Sequence, residues 1–459
     1  MKEQLIGSDR GQAIFEVIIA MAILVTSFTG FVTLIFGTQS ATIDAQEENK
    51  AIQLAKESSE TSFASSRGVF SNLVGTTSTQ NEFFSSTSIK NIDAYTKEIE
   101  NKITWETDPL RDQENKIVTL VTDWKALQAL GGDTSGTPPV GNWNNPRTLG
   151  SVDLGAGESA TDLDVVSKLI YMTAIASSEA KQDFFVIDAT DPQNPFIKGA
   201  INTGVGLNAV DAISGYAFVV GNDEHKELQV INISNPAQPS KVASLDLDGE
   251  YTTTSVFYYK NFLFIGRGTG ASQELVVVSV SNPLNPVYVG GLSGIGGKVN
   301  KISVLDDIVY TASESTSHGM YVIDATSPSF LQTLGSYNSG GSQAYSVFPV
   351  NSSKVYVGAK KDFYITNATN PASIQTVGSK AIVSTSIKIV DIYVAEPYAF
   401  FATEDSNKEF QVLNISNPAS PTVISTFNFP NFASGIDYEN NLVYVSVKSN
   451  DSLRIITSQ

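Results

Sequence analysis

The sequence predicts a two-part chain: an α+β stem, made of a long N-terminal helix plus a small antiparallel sheet, followed by an all-β seven-bladed β-propeller. Three observations carry this. An apolar run opens the chain, with no proline from Met1 to Ser66. Two alternating segments, Glu98–Thr107 and Lys116–Trp124, read as a hairpin around a turn-like Asp108–Asp112. A strand-and-turn motif then recurs with prolines at 192, 236, 283, 328, 371 and 418, spaced 43 to 47 residues apart. That period, with Val, Ile, Tyr and Phe alternating between the turns, is that of four-stranded blades.

The first element is Gly11-Gln12-Ala13-Ile14-Phe15-Glu16-Val17, which leads into apolar sequence as far as Gly37. Residues 17–37 match the ~20 residues a membrane-spanning helix needs. A lone carboxylate in hydrocarbon costs about 2.5–3.5 kcal/mol, so Glu16 calls for a partner or a task. A secretory signal would be cut after the apolar stretch, and a plain signal anchor explains neither Glu16 nor its distance from Gly11.

This pattern resembles the type IV prepilin signature. The resemblance implies that residues 1–11 are a leader carrying Lys2 and Arg10, and that prepilin peptidase cuts after Gly11. Gln12 then becomes the N-methylated first residue, in place of the usual phenylalanine, and Glu16 pairs with the N-terminal amine of a neighbouring subunit. The implied partners are other pilin subunits, contacted through the N-terminal helix, prepilin peptidase, and the inner membrane before assembly.

Helical spacing of Ile43, Ile52, Leu54 and Ala55 extends the expected helix over residues 12–60. A pilin-like β-sheet region is expected over residues 61–130, with the serine-rich stretch 62–88 as loop. Residues 131–144, opening on Gly-Gly-Asp-Thr-Ser-Gly-Thr-Pro-Pro, read as a linker before a propeller over 145–459.

The propeller motif appears as Val186–Pro192 (VIDATDP), Val230–Pro236 (VINISNP) and Val412–Pro418 (VLNISNP), among others. Asn or Asp before proline starts a tight turn, because proline presets φ at the second turn position. The chain ends on Leu453–Ser458, a third strand with no outer strand after it, while Asn145–Leu154 aligns with the outer strand around Asn194–Thr203. The first strand of the domain is therefore expected to complete the last blade and close the ring, leaving no long open edge. The repeat resembles the LVIVD family of extracellular β-propellers, which implies the fold and leaves the chemistry open.

Binding is expected on the face formed by second-to-third-strand loops and blade-to-blade loops, opposite the Asn/Asp-Pro turns. Its candidate residues are Asn222, Asp223, His225, Arg267, Glu314, His318, Glu404, Asp405 and Asn450. Aromatics such as Tyr216, Phe218, Tyr310, Tyr356, Phe400 and Tyr444 recur in the blades and read as core.

Composition narrows the chemistry. The net charge of −18 argues against nucleic acid, whose phosphates need lysine and arginine. With no cysteine there is neither a disulfide framework nor thiol chemistry. His225 and His318 fall in loops of non-adjacent blades, which makes a poor zinc site. Asp246–Glu250 resembles a calcium loop but lacks its ligand spacing, and it is read on an outer strand. Gly294–Gly297 lacks the strand-to-helix setting of a phosphate cradle, and Glu404-Asp405 with Glu409 reads as a solvated rim. No catalytic group, metal or cofactor is expected, and the chain is read as a non-enzyme.

The expected function is that of a minor or tip-type pilin-like subunit, held in the cytoplasmic membrane before assembly. It would then display the propeller on an extracellular pilus or cell surface for adhesion or binding of a glycan or protein. The alternatives are a surface-displayed propeller enzyme, which would need a cluster of perturbed carboxylates and histidines converging on the central channel, and a type II secretion pseudopilin.

Overall fold

The computed structural model describes Met21, residues 24–29, 45–61, 73–91, 96–108, 111–122 and 139–459, except 177, 179, 205, 224, 250, 316, 342, 385 and 386. The chain divides into two compact units, Met1–Asp123 and Trp124–Gln459.

In the first unit four antiparallel strands form a meander: β1 (Thr76–Gln80), β2 (Phe83–Asn91), β3 (Thr96–Asp108) and β4 (Arg111–Thr122). The long hairpin β3–β4 is the one the alternation predicts, with Trp105 opposite Gln113 and Ile99 opposite Thr119. The helix over residues 45–61 lays Ala51 and Ala55, both fully buried, against Phe83, Ile103 and Trp105. Small residues on that stripe let the helix come close to the sheet, and such tertiary packing supplies most of a short helix's stability. Ser58 and Ser59 reach across to Ser85 and Thr119 at 3.3 and 3.0 Å.

Two expectations are corrected here. The fold is nearly all β, and no long N-terminal helix is present among the described residues. Helix is confined there to Met21, residues 24–29 and residues 45–61, and no described helix is long and apolar enough to cross a membrane. The α+β stem with one long N-terminal helix is therefore not the fold class. Helical spacing marks an apolar face, and among the described residues the sheet covers that face at Ala51, Leu54 and Ala55. The serine-rich stretch expected as loop supplies β1 and β2, because Ser and Thr suit a half-exposed strand face as well as a turn. The leader 1–11, the residues Gly11, Gln12 and Glu16, most of 17–37, and 131–138 of the linker lie outside the described residues.

The second unit is a ring of seven four-stranded antiparallel sheets. The innermost strands are Glu158–Val166, Leu207–Ile213, Thr253–Tyr259, Val299–Leu305, Ala344–Asn351, Ile389–Ala395 and Ala433–Glu439, which number the blades 1 to 7. Blade 7 takes its outer strand from the front of the domain: β5 (Arg147–Asp153) pairs with Asp451–Thr457, as expected. Packing begins before Asn145. Trp143 is fully buried against Phe400, with centroids 4.7 Å apart, and the Asn142 amide donates to the Gln459 carbonyl at 2.6 Å.

The Asn/Asp-Pro turns are two Asx turns in series. In blade 2 the Ser234 amide donates to Asn232 Oδ1 at 2.9 Å, and the Ala237 amide to Asn235 Oδ1 at 3.3 Å. The next link runs between blades. A methyl on outer-strand Gly199 would overlap the Pro236 carbonyl, and one on Gly150 of β5 would overlap that of Pro192. Glycine at these positions lets each outer strand sit against the next blade's turn, and Gly150 repeats the arrangement at the closure.

Candidate functional site

A polar cavity of about 170 Å³ lies on the axis, lined by all seven innermost strands except for their ends. The register explains its chemistry. Each innermost strand has a bulge against its neighbour after its second residue or so, which makes Asp162, Ala209, Ser255, Lys301, Ser346, Asp391 and Gly435 equivalent. Two residues further on, the equivalent positions are Asp164, Asp211, Phe257, Ser303, Phe348, Tyr393 and Asp437. Side chains two apart share a face, so the channel carries two tiers.

The outer tier holds an ammonium between carboxylates. Lys301 Nζ sits 2.8 Å from Asp391 Oδ2 and 3.7 Å from Asp162 Oδ1, joining blade 4 to blades 6 and 1. Burial alone would lower the Lys301 pKa, but Asp162 and Asp391 outweigh it and hold the ammonium well above its ordinary range. The inner tier places Asp437, Asp164 and Asp211 on the consecutive blades 7, 1 and 2, with Phe257, Phe348 and Tyr393 on blades 3, 5 and 6.

Every one of the five aspartates has a structural task. An innermost strand has no ladder partner on its channel side, so its amides need acceptors. Asp162, Asp164 and Asp211 each accept from the next blade: from the Val210, Ala212 and Tyr258 amides at 3.3, 2.6 and 2.7 Å. Asp391 and Asp437 do the same for the Ile436 and Val165 amides at 3.2 and 2.8 Å, the last across the closure. These bonds use Oδ2 of each carboxylate, and Oδ1 of Asp391 and of Asp437 accepts the following amide of its own strand, Ile392 at 3.0 Å and Tyr438 at 2.7 Å. Asp211 is 5% exposed, and its Oδ1 has no hydrogen-bond partner.

Crowding of acids in a buried place favours their neutral forms. Burial pushes Asp211 up to about 8 and Asp437 to about 7. Asp162 rises to about 6, burial again leading and Lys301 opposing it. Asp164 is pushed well above the usual carboxylate range by burial and by Asp211 and Asp437.

A belt one residue nearer the loops also ties blade to blade. Thr161 Oγ1 donates to the Leu207 carbonyl at 2.8 Å, Asn208 Nδ2 to that of Thr253 at 2.7 Å, and Ser434 Oγ to that of Ala160 at 2.9 Å. This belt borders a wider mouth of about 390 Å³, which shares Thr161, Asn208, Thr254, Asn300, Val390 and Ser434 with the axial cavity. The mouth opens on the face expected to bind, and Lys298, Lys388, Lys448, Glu404 and Tyr345 line it. Glu404 lies 3.2 Å from Lys448 and 3.8 Å from Lys388, and Lys388 sits 5.1 Å over the Tyr345 ring.

Of the candidate loop residues, Asn222 and Glu404 line this mouth. Glu314 pairs with Lys298 at 3.4 Å close by. Asp223 turns back on its own loop through the His225 amide and Lys226. The exposed His225 ring lies 3.8 Å from Asp246, and His318 packs edge-on to Tyr321 two blades away. Asn450 is exposed. Two candidates are buried. Asp405 accepts the Asn407 amide within its own turn. Arg267, 2% exposed, donates to the Asp248 and Gly249 carbonyls at 2.7 and 3.2 Å.

That contact places Asp246–Gly249 after the outer strand Ser240–Leu245 rather than on it, as a turn anchored also by the Leu247 amide on Glu227. Glu409 is likewise no solvated rim: it is 1% exposed and accepts the Phe429 amide at 2.9 Å. Asp183, Glu227, Glu274 and Glu409 all precede a third strand and accept amides of the following crossover. Phe218, Tyr310, Tyr356, Phe400 and Tyr444 are equivalent core residues opposite the inner tier, whereas Tyr216 stands two places earlier.

The channel aspartates were missed because each one looks like an ordinary polar residue of an alternating strand. The signal was available: aligning the repeats places Asp164, Asp211 and Asp437 in one column, at a position other blades fill with Phe, Tyr or Ser.

The LVIVD repeat model matches residues 209–246, 252–292 and 388–428, which are blades 2, 3 and 6 with short flanks. No curated protein matches the chain. Among solved structures, the WD40 β-propeller domain of Doa1 superposes with a TM-score of 0.52 at 11% identity, over 69% of this chain and 97% of that one. The computationally designed Ika8 protein does so with a TM-score of 0.50 at 12% identity, over 67% and 99%. LVIVD repeats and a β-propeller fold are thereby shown.

Proposed function

We propose that the propeller is a non-enzymatic binding module that engages an extracellular ligand at its loop face. One observation carries this reading: a polar mouth on the face expected to bind, with Asn222 and Glu404 in its wall, continues into the axial cavity. Concave sites of this size with convergent polar groups are where small ligands bind. Part-exposed Lys298, Lys388 and Lys448 with Glu404 around the mouth, and the buried Tyr345 ring beneath Lys388, suit a polar, anionic or hydroxyl-rich surface such as a glycan.

Display at the cell surface is the second part of the proposal, and it rests on the sequence pattern Gly11-Gln12 with Glu16. In this reading the chain is processed like a prepilin, leaves the membrane and joins a pilus-like assembly as a minor subunit. The three residues lie outside the described part of the chain, so the support is the pattern alone.

A second reading, a surface hydrolase, is favoured by the inner tier, where Asp211 at about 8 and Asp437 at about 7 border one cavity. Carboxylates of raised pKa in a cleft serve as general acids.

Two measurements test the proposal. Glycan and surface-protein arrays probed with the full chain should give a ligand whose capture falls about tenfold on replacing Lys388 and Lys448 with alanine. Capture unaffected by those changes overturns the loop-face reading, and turnover of the captured ligand replaces it with the hydrolase. Intact mass with and without prepilin peptidase should show loss of residues 1–11. An uncut chain removes the pilus part.

A further inference from the structure

We propose that the inner tier of the axial channel is a binding site for a small organic ammonium, separate from the loop face that meets the extracellular ligand. It rests on reading the propeller as a binding module, and it names a second ligand class within it.

The wall itself shows what it accepts. Lys301 already seats one ammonium between Asp162 and Asp391. The remaining three carboxylates, Asp164, Asp211 and Asp437, sit together on neighbouring blades, and none of them forms an ion pair with a described side chain. Their blade-to-blade hydrogen bonds use Oδ2 of each, and Asp437 Oδ1 also accepts the Tyr438 amide, so Asp211 supplies the unpartnered oxygen. Asp211 Oδ1 is buried in the cavity wall with no partner. Once its proton leaves, that oxygen accepts a hydrogen bond from a donor entering the channel.

Two facts make the donor an amine and not a metal ion. Among the described residues no group of three or more His, Asp or Glu side chains converges closely enough to hold a metal. Metal ligands must meet at ~2.0–2.6 Å from one centre, whereas an ammonium reaches separate acceptors through separate N–H groups. Opposite the acids stand Phe257, Phe348 and Tyr393, and aromatic faces attract alkylammonium groups and cover their carbon chains. The volume of about 170 Å³ exceeds the ~150 Å³ that holds a benzene-sized guest. The belt shared with the mouth provides the way in.

Binding also has a proton signature. The acids hold protons in the free protein, and the arriving cation favours their ionised forms, so protons leave to solvent as the amine enters.

The test is calorimetry on the full chain near neutral pH, with n-butylammonium chloride as probe and 1-butanol and calcium chloride as comparisons. The expected result is millimolar or tighter binding of the ammonium, at least about tenfold weaker binding of the alcohol, and proton release seen as a heat that changes with buffer ionisation enthalpy. Asp211→Asn, which keeps the acceptor for the Tyr258 amide, should weaken the ammonium about tenfold. Phe257→Leu should weaken it severalfold. Thermal melts of each variant confirm folding. Should Asp211→Asn fail to fold, Asp437→Asn and the buffer comparison give the same reading.

Equal binding of alcohol and ammonium, calcium binding that excludes the ammonium, or affinity indifferent to Asp211 and Asp437 each overturns the site. A glycan captured at the loops with no amine response sinks this inference alone. An amine response with no captured surface ligand sinks the loop-face reading and leaves the site.

Discussion

Asp211 on blade 2 accepts the Tyr258 amide of blade 3 at 2.7 Å through Oδ2, while its Oδ1 stays buried and unpartnered. One carboxylate thus binds two blades together and also leaves an acceptor in the channel. Propeller closure and the chemistry of the axis use the same residues.

Stability should fall as pH rises toward the alkaline side of neutral. Asp162, Asp437 and Asp211 titrate at about 6, 7 and 8 in the fold, against ~3.9 for an unfolded aspartate. Between those limits the folded chain holds protons the unfolded chain has lost, so the slope of unfolding free energy with pH is negative. Their contribution is full below about pH 4 and is lost as pH climbs through about 6–8. Denaturation in urea should show a lower midpoint at about pH 8 than at about pH 5. Asp211→Asn should flatten that difference.

Lys301→Met should destabilise the propeller, because it strands Asp162 and Asp391 without their cation. Breaking a fully buried pair costs about 3–5 kcal/mol. With 30% of the Lys301 side chain exposed, a loss of about 1–3 kcal/mol is expected in chemical denaturation. Adding Asp391→Asn to Lys301→Met should recover part of the loss in a double-mutant cycle.

Gly150→Ala should loosen the closure. Its methyl would meet the Pro192 carbonyl and push β5 off the first turn of the ring. An overpacking cost of about 1–3 kcal/mol is expected, read as faster amide exchange along Asp451–Thr457 than elsewhere.

Trp143→Ala should cost about 3–5 kcal/mol, the scale for a buried tryptophan. The ring is fully buried against Phe400 in the core between blades 6 and 7. The loss is read as a lower urea midpoint followed by circular dichroism.

What the residues revealed in advance was periodic. The six turn prolines counted six blades, and Asn145–Leu154 announced the strand that closes a seventh, because a repeat repeats its local chemistry. The β3–β4 hairpin was legible through alternation. The long helix was not a sound inference: periodicity marks a face, and a face becomes a helix where something packs on it, as Ala51 and Ala55 pack on Phe83. The axial site was hidden for another reason. Asp162, Lys301 and Asp391 lie up to 229 residues apart and converge only through the ring, so no local spacing betrays them. Arg267 and Asp405 read as loop charges, yet both are buried as props for turns.

The pairing of β5 with Asp451–Thr457 also dictates when this domain can exist during its synthesis. Its first strand must wait until Asp451–Thr457 has been made and is free to fold. Until then blade 7 has a bare edge, a template for pairing with another chain. Closing so long a loop is slow, and contacts of such separation form late. A chain in which β5 has not met Asp451–Thr457 offers six finished blades and one adhesive seam.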